Sequence, residues 1–156
     1  PEYITYPVNL LSKTFDKIFD LERWQVVANF SAHKHVRSEK DKISVEALIK
    51  NNIYGAIKLL NLCELNPPKY FFSVSTDKAA NPVNVMGASK SLMEKIILSK
   101  KNNFRVSTAR FANVAFSNGS LLDGFVYRLN KKQPLSCPSD IKRFFVTPQQ
   151  SGQYVY

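Results

Sequence analysis

Apolar positions along the chain switch between two periods, and the switching lays out the elements. Tyr3 to Tyr6 reads as a short strand, and Leu10, Leu11, Phe15, Ile18 and Phe19 then recur on one face at a helical period. Trp24 to Phe30 is nearly continuous in β-branched, aromatic and other apolar residues, the pattern of a strand buried on both faces. A polar, charged loop from Ser31 to Lys42 separates it from a long amphipathic helix, Ile43 to Leu65, whose Val45, Leu48, Ile49, Ile53, Ala56, Leu60 and Cys63 fall near one stripe. Asn66, Pro67 and Pro68 stop that helix, because proline lacks the backbone donor that another turn requires. Tyr70 to Val74 is the next buried strand, Ser75 to Asn84 a loop, and Met86 to Lys101 a helix closed by Asn102 and Asn103. Phe104 to Phe111 reads as a strand, Ser120 to Lys132 as a helix and Lys142 to Val146 as a last strand. Thr147, Pro148 and Gln150 then supply the N-cap, N1 and N3 residues of a further helix.

Strands alternating with helices predict an α/β fold with a doubly wound parallel sheet and right-handed crossovers. Such sheets take ligands outside the carboxyl ends of their strands, so the chemistry is sought there. A length of 156 residues with 44% apolar residues suits one globular domain and excludes disorder, collagen and a small disulfide scaffold. Lys and Arg number 22 against 12 Asp and Glu, a net charge of +10 that draws anions: nucleic acid, anionic lipid or phosphorylated metabolites. Cys63 and Cys137 form no CxxC pair, which points to a reducing, intracellular setting and against zinc. His33 and His35 alternate with Lys34, but two ligands are too few for a zinc site, so no metal is expected. No run approaches the roughly 18 apolar residues of a membrane span.

Ser73-Val74-Ser75-Thr76-Asp77-Lys78 leaves a buried strand and ends in polar groups at its carboxyl edge. Ser75 and Thr76 can hydrogen-bond a substrate hydroxyl, Asp77 can exchange a proton if its pKa is raised, and Lys78 can act as a base. A plain turn in which Thr76 and Asp77 satisfy local backbone groups is the competing interpretation. Met86 and Lys90 follow four residues apart, on one face of the next helix.

The string from Ser75 to Lys90, SerThrAspLysAlaAlaAsnProValAsnValMetGlyAlaSerLys, closely resembles the polysaccharide-biosynthesis branch of the extended short-chain dehydrogenase/reductase superfamily. Within it, the chain looks most like the nucleotide-sugar 4,6-dehydratases acting on UDP-N-acetylglucosamine. Lys34-His35-Val36, Ile49-Lys50-Asn51-Asn52-Ile53-Tyr54-Gly55, Arg110-Phe111-Ala112-Asn113-Val114, Asn118-Gly119-Ser120 and Arg143-Phe144-Phe145 carry the resemblance over about Val26 to Gln150. It implies an incomplete Rossmann-like sheet, with residues 1–156 the central part of an NAD(P)-binding domain that runs into the substrate-side region from about residue 112. It further implies a cycle in which hydride leaves C4 of the sugar for NAD, water is lost across C5 and C6, and the hydride returns to C6. By position, Thr76 would hold the sugar hydroxyl, Asp77 would protonate the leaving C6 hydroxyl, and Lys78 would take the C5 proton. Lys90 would bind the nicotinamide ribose, with Ser75 and Asn52 also on the cofactor side. Lys34, His35, Asn113 and Arg143 would face the nucleotide-sugar, a guanidinium being well shaped for a diphosphate.

Three departures bear on this. The superfamily's usual pair is Tyr and Lys at i, i+4, and the Tyr position is here Met86, whose thioether has no proton to transfer; Lys78 or Lys90 is left as the base for the C4 hydroxyl. Tyr54 and Lys58 spell the same spacing one helix too early. Upstream, the family's HisAlaAla is Asn29-Phe30-Ser31, and a Gly-rich dinucleotide turn is missing from the 156 residues. The expectation is a central piece of a longer enzyme that alone is inactive and binds NAD or NADP weakly. The parent would take a UDP-sugar, with or without inversion at C5, and act as a homo-oligomer. It would be cytoplasmic or membrane-associated, with no membrane span in this chain and no nucleic-acid partner. The alternative is a non-catalytic relative that lost its chemistry with the tyrosine.

Overall fold

The computed structural model describes residues 3–35, 39–101, 103–137 and 139–155. Val36 of the resembling loop and Asn102 of the proposed helix stop lie outside the described residues. Two compact units divide the chain, one ending at Thr108 and one beginning at Ala109, so the boundary falls inside a strand.

In the first unit, helix α1 (Lys13–Phe19) is capped by the Ser12 hydroxyl, which accepts from Phe15 N at 3.2 Å. Strand β1 (Val26–Asn29) follows, then α2 (Lys42–Ile49), one π-helical turn (Lys50–Tyr54) and α3 (Gly55–Leu65) as a single interrupted helical run. Strand β2 (Tyr70–Thr76) passes into a short 3-10 turn (Asp77–Ala79), then α4 (Val85–Ser99) and β3 (Arg105–Phe111). The sheet order is β1-β2-β3, with β1 and β2 parallel in the register Val26 to Tyr70 through Asn29 to Ser73. This is the α/β, partly Rossmann-like sheet expected from the sequence. Tyr3 to Tyr6 forms no strand: it is exposed, and no neighbouring strand accepts its backbone.

Alternation along β2 determines what the site is made from. Phe71, Ser73 and Ser75 share the buried face, and Phe71 packs into the core with Leu60, Cys63, Met93 and Ile97. Complete burial of Phe71 contributes about 2–3 kcal/mol, enough to fix the strand's register and hence the face that Ser75 presents. Strand β1 departs from the prediction: Val27 and Asn29 are buried but Val26 and Ala28 are exposed. It is an edge strand covered on one side only, where a two-sided burial was expected. Burial pushes the Cys63 thiol up to about 12, so it stays a protonated core residue.

In the second unit, β4 (Asn113–Val114) pairs in parallel with β5 (Phe145–Val146), and α5 (Leu121–Asn130) and α6 (Pro148–Gln153) complete it. The predicted capping box is present: Gln150 N donates to Thr147 Oγ1 at 3.1 Å and Thr147 N to Gln150 Oε1 at 2.9 Å.

Candidate active site

Strand β2 extends two residues past its predicted end, so Thr76 leaves the sheet in extended conformation and caps the 3-10 turn. Thr76 Oγ1 donates to Asp77 Oδ1 at 2.8 Å, and Lys78 Nζ lies 3.0 Å from the same oxygen. Burial pushes the Asp77 carboxyl up, but the hydrogen bonds from Lys78 and Thr76 and the Lys78 charge together outweigh it and hold the group below its ordinary value. Asp77 is thus held as the carboxylate anion. The raised value its role as an acid required is not present, because Lys78 folds back on the carboxylate. The turn of the competing interpretation is present, with Thr76 Oγ1 accepting from Lys78 N, and it carries all three side chains.

Helix α4 meets this turn at close range. A Cβ on Gly87 would lie 2.6 Å from the Lys78 carbonyl oxygen, so glycine lets the helix start touch the turn. Asn84 Oδ1 accepts from Gly87 N and Glu39 Oε1 from Met86 N, both at 2.8 Å, satisfying donors that no helical turn can. Met86, in the first turn of α4, is buried. One turn on, Lys90 is 5% exposed and its Nζ donates to Val74 O at 2.9 Å, with Met93 Sδ at 3.6 Å. Burial pulls its pKa down to about 8, against the opposing charge of Glu94. Ser75, 3% exposed, has a buried Oγ with no hydrogen-bond partner.

Asn52 sits in the π turn and is buried. Its Oδ1 accepts from His33 N at 2.8 Å, and its Nδ2 donates to His33 O at 3.1 Å and to Ser89 Oγ at 3.0 Å. Ser89 Oγ in turn donates to Met86 O at 2.7 Å. The amide therefore ties the loop after β1 to the first turn of α4. A π turn admits a residue that the α spacing would point elsewhere, and such turns gather at functional sites.

Ser75, Thr76, Asp77, Lys78, Met86, Lys90 and Asn52 are therefore brought together at α4, which packs against β2, the 3-10 turn and the π turn. Lys34 and His35 are exposed in the loop that Asn52 anchors through His33. Asn113 and Arg143 belong to the second unit, where Asn113 Nδ2 donates to Phe144 O at 3.2 Å and Arg143 is exposed. The decoy pair is separated: Tyr54 is exposed, while Lys58 binds Ser12 O and Asp16 at 2.6 Å. A cleft of about 370 Å³ between α1 and β1, lined by Leu10, Phe15, Trp24 and Val27 among others, contains none of the proposed catalytic residues. Sequence reading missed Glu39, Gly87, Ser89 and Glu94. Only Glu94 carried a signal, its i+4 spacing from Lys90. Among the described residues no cluster of metal-ligating side chains occurs, and no helix is long and apolar enough to cross a membrane.

Residues 10–156 match the family described as "Polysaccharide biosynthesis protein". The chain is 34% identical over 146 residues to "Probable polysaccharide biosynthesis protein EpsC" of Bacillus subtilis, covering 90% of this chain and 24% of the relative. It is 32% identical over 115 residues to a UDP-N-acetylglucosamine 4,6-dehydratase (inverting) of Campylobacter jejuni, covering 69% of this chain and 34% of that enzyme. A solved UDP-glucuronic acid 4-epimerase from Bacillus cereus, in complex with UDP-glucuronic acid and NAD, superposes with a TM-score of 0.80 at 17% identity, over 92% of this chain and 51% of its own. The chain thus spans about a quarter to a third of the two curated relatives, and the last likeness is one of fold.

Proposed function

The chain belongs to the polysaccharide biosynthesis protein family, and from that membership we propose that it is the catalytic and substrate-side part of a longer NAD-dependent nucleotide-sugar 4,6-dehydratase acting on a UDP-N-acetylhexosamine. Relatives named as dehydratases and epimerases support the general class, nucleotide-sugar modification. The observation that carries the finer reading is the Thr76-Asp77-Lys78 cluster, in which Thr76 Oγ1 and Lys78 Nζ both donate to one carboxylate oxygen.

The residues suit a dinucleotide: the orphaned Ser75 Oγ and the buried Lys90 ammonium stand beside each other on β2 and α4 with bonding capacity to spare. When bound, NAD would accept hydride from C4 of the sugar and return it to C6. Lys90 and Ser75 would hold its ribose side. Because Thr76 Oγ1 donates to Asp77 and accepts only the long 3.4 Å bond from Lys78 N, a lone pair is left to accept from the C4 hydroxyl. A proton leaving that hydroxyl passes through Thr76 Oγ1 to Asp77 Oδ1, which suits a carboxylate that starts ionised. Asp77, now protonated, gives the proton to the departing C6 hydroxyl, which leaves as water. Lys78, whose Nζ lies 3.0 Å from the same carboxylate oxygen, would take the C5 proton as the free amine, its own proton having passed to solvent, and would give it back to C5 as hydride returns to C6. No proton-bearing group is needed at Met86.

The test is incubation of the complete polypeptide containing this chain with UDP-N-acetylglucosamine and NAD, followed by proton NMR for a 4-keto-6-deoxy sugar. Asp77→Asn is expected to lower turnover by about 10²–10⁴-fold, the ordinary worth of a positioned acid–base group. Full activity in that variant overturns the assignment. A second reading, a binding protein without turnover, draws on Met86, and it is selected if no UDP-sugar yields a keto product.

A further inference from the structure

Lys90 is a charged group in a place that disfavours charge. It is 5% exposed, and its visible acceptors are one carbonyl, Val74 O, and one thioether, Met93 Sδ, a weak acceptor. An ammonium so placed tends to lose its proton unless a counter-charge is near. Glu94 lies four residues further along α4, hence one turn away on the same face, and is also 5% exposed. Its charge acts on Lys90 against the effect of burial.

The other charged groups on elements packed against α4 are already engaged. Asp77 pairs with Lys78 in the 3-10 turn, Glu46 with Lys50 at the start of the π turn, Lys58 with Asp16, and Glu64 with Lys100. Glu39 accepts from Met86 N. Lys42 of α2 and Lys95 of α4 are exposed, as are Tyr54 and Tyr70, and the Cys63 thiol is neutral. Glu94 is the buried carboxylate on the Lys90 face of α4.

We propose that Glu94 acts through Lys90: its buried carboxylate, one turn along α4, keeps the Lys90 ammonium charged while that group donates to Val74 O near the carboxyl end of β2. Lys90 can then donate to Val74 O and to a ligand together, which a neutral amine does less strongly. The use of that charge in turnover rests on the dehydratase reading above. The charge itself does not, so the two fail separately.

The experiment is an NMR titration of the 156-residue chain with isotope-labelled lysine and glutamate side chains, without cofactor or sugar, the Lys90 signal being assigned from Lys90→Met. In Glu94→Gln the Lys90 transition is expected about one pH unit or more lower than in the unsubstituted chain. Glu94→Asp, which keeps the charge, is expected to restore most of the difference. A merely structural Glu94 would change the melting temperature and leave the transition in place; an unmoved transition in folded Glu94→Gln overturns the proposal. Should that variant not fold, the unsubstituted chain decides: the Glu94 carboxyl carbon must shift at the pH where Lys90 titrates, and its failure to do so is equally decisive.

Discussion

Burial opposes the charge on both Asp77 and Lys90, yet the outcomes differ because their partners differ. Asp77 receives two charge-stabilising hydrogen bonds and stays an anion, whereas Lys90 has one good acceptor and a counter-charge a turn away. The Lys90 value sets a pH dependence with a definite sign. Between about 8, its folded value, and 10.5, its ordinary one, the unfolded chain holds a proton that the folded chain has released. Stability relative to Lys90→Met is therefore expected to rise over that window, by an order-of-magnitude figure of about 3 kcal/mol, and to be level below it. Urea unfolding of both proteins at a series of pH values measures this, and a difference that stays flat would contradict it. The identities of Thr76, Asp77, Lys78 and Lys90 were legible from one string of residues. The direction of the Asp77 shift was not, because it depends on the Lys78 side chain folding back onto its neighbour.

At the level of elements, the site is a junction of three backbones: the end of β2, the π turn between α2 and α3, and the first turn of α4. Gly87 is the contact between two of them. Gly87→Ala is expected to push the helix start from the Lys78 carbonyl, costing about 1–3 kcal/mol in stability as overpacking does, and lowering turnover by moving Asp77. Thermal unfolding with a parallel activity assay separates the two effects. Asn52 is the link to the third backbone. Asn52→Ala would leave His33 N and O without their partner, with an expected loss of about 1–3 kcal/mol and faster hydrogen exchange at the His33 amide. The helical stripe from Ile43 to Leu65 was visible in the sequence, but the π turn was not. Nothing local requires it: the amide of Asn52 finds its partners 19 residues back in His33 and 37 residues on in Ser89.

For the whole molecule, the exposed residues of β1 and the share of its relatives that the chain spans bear on cofactor binding. A dinucleotide's pyrophosphate is held by a Gly-rich turn at a helix N-terminus, and none of the 5 glycines lies in such a fingerprint. The 156-residue chain by itself is accordingly expected to bind NAD weakly, and calorimetry giving a micromolar Kd would overturn that expectation. The net charge of +10 draws anions towards the chain.

The order of strands and helices, and the gathering of Ser75, Thr76, Asp77 and Lys78 as a candidate site at the carboxyl end of β2, were determined by the sequence. Periodicity, proline stops and caps act over a few residues and need no tertiary partner. Three things were decided only by the tertiary structure: the one-sided burial of β1, the ionised state of Asp77, and the assembly of Asn52, Ser89, Lys90 and Glu94 around α4. Each depends on what lies across space from a side chain, and burial and charge act through that distance rather than through separation along the chain.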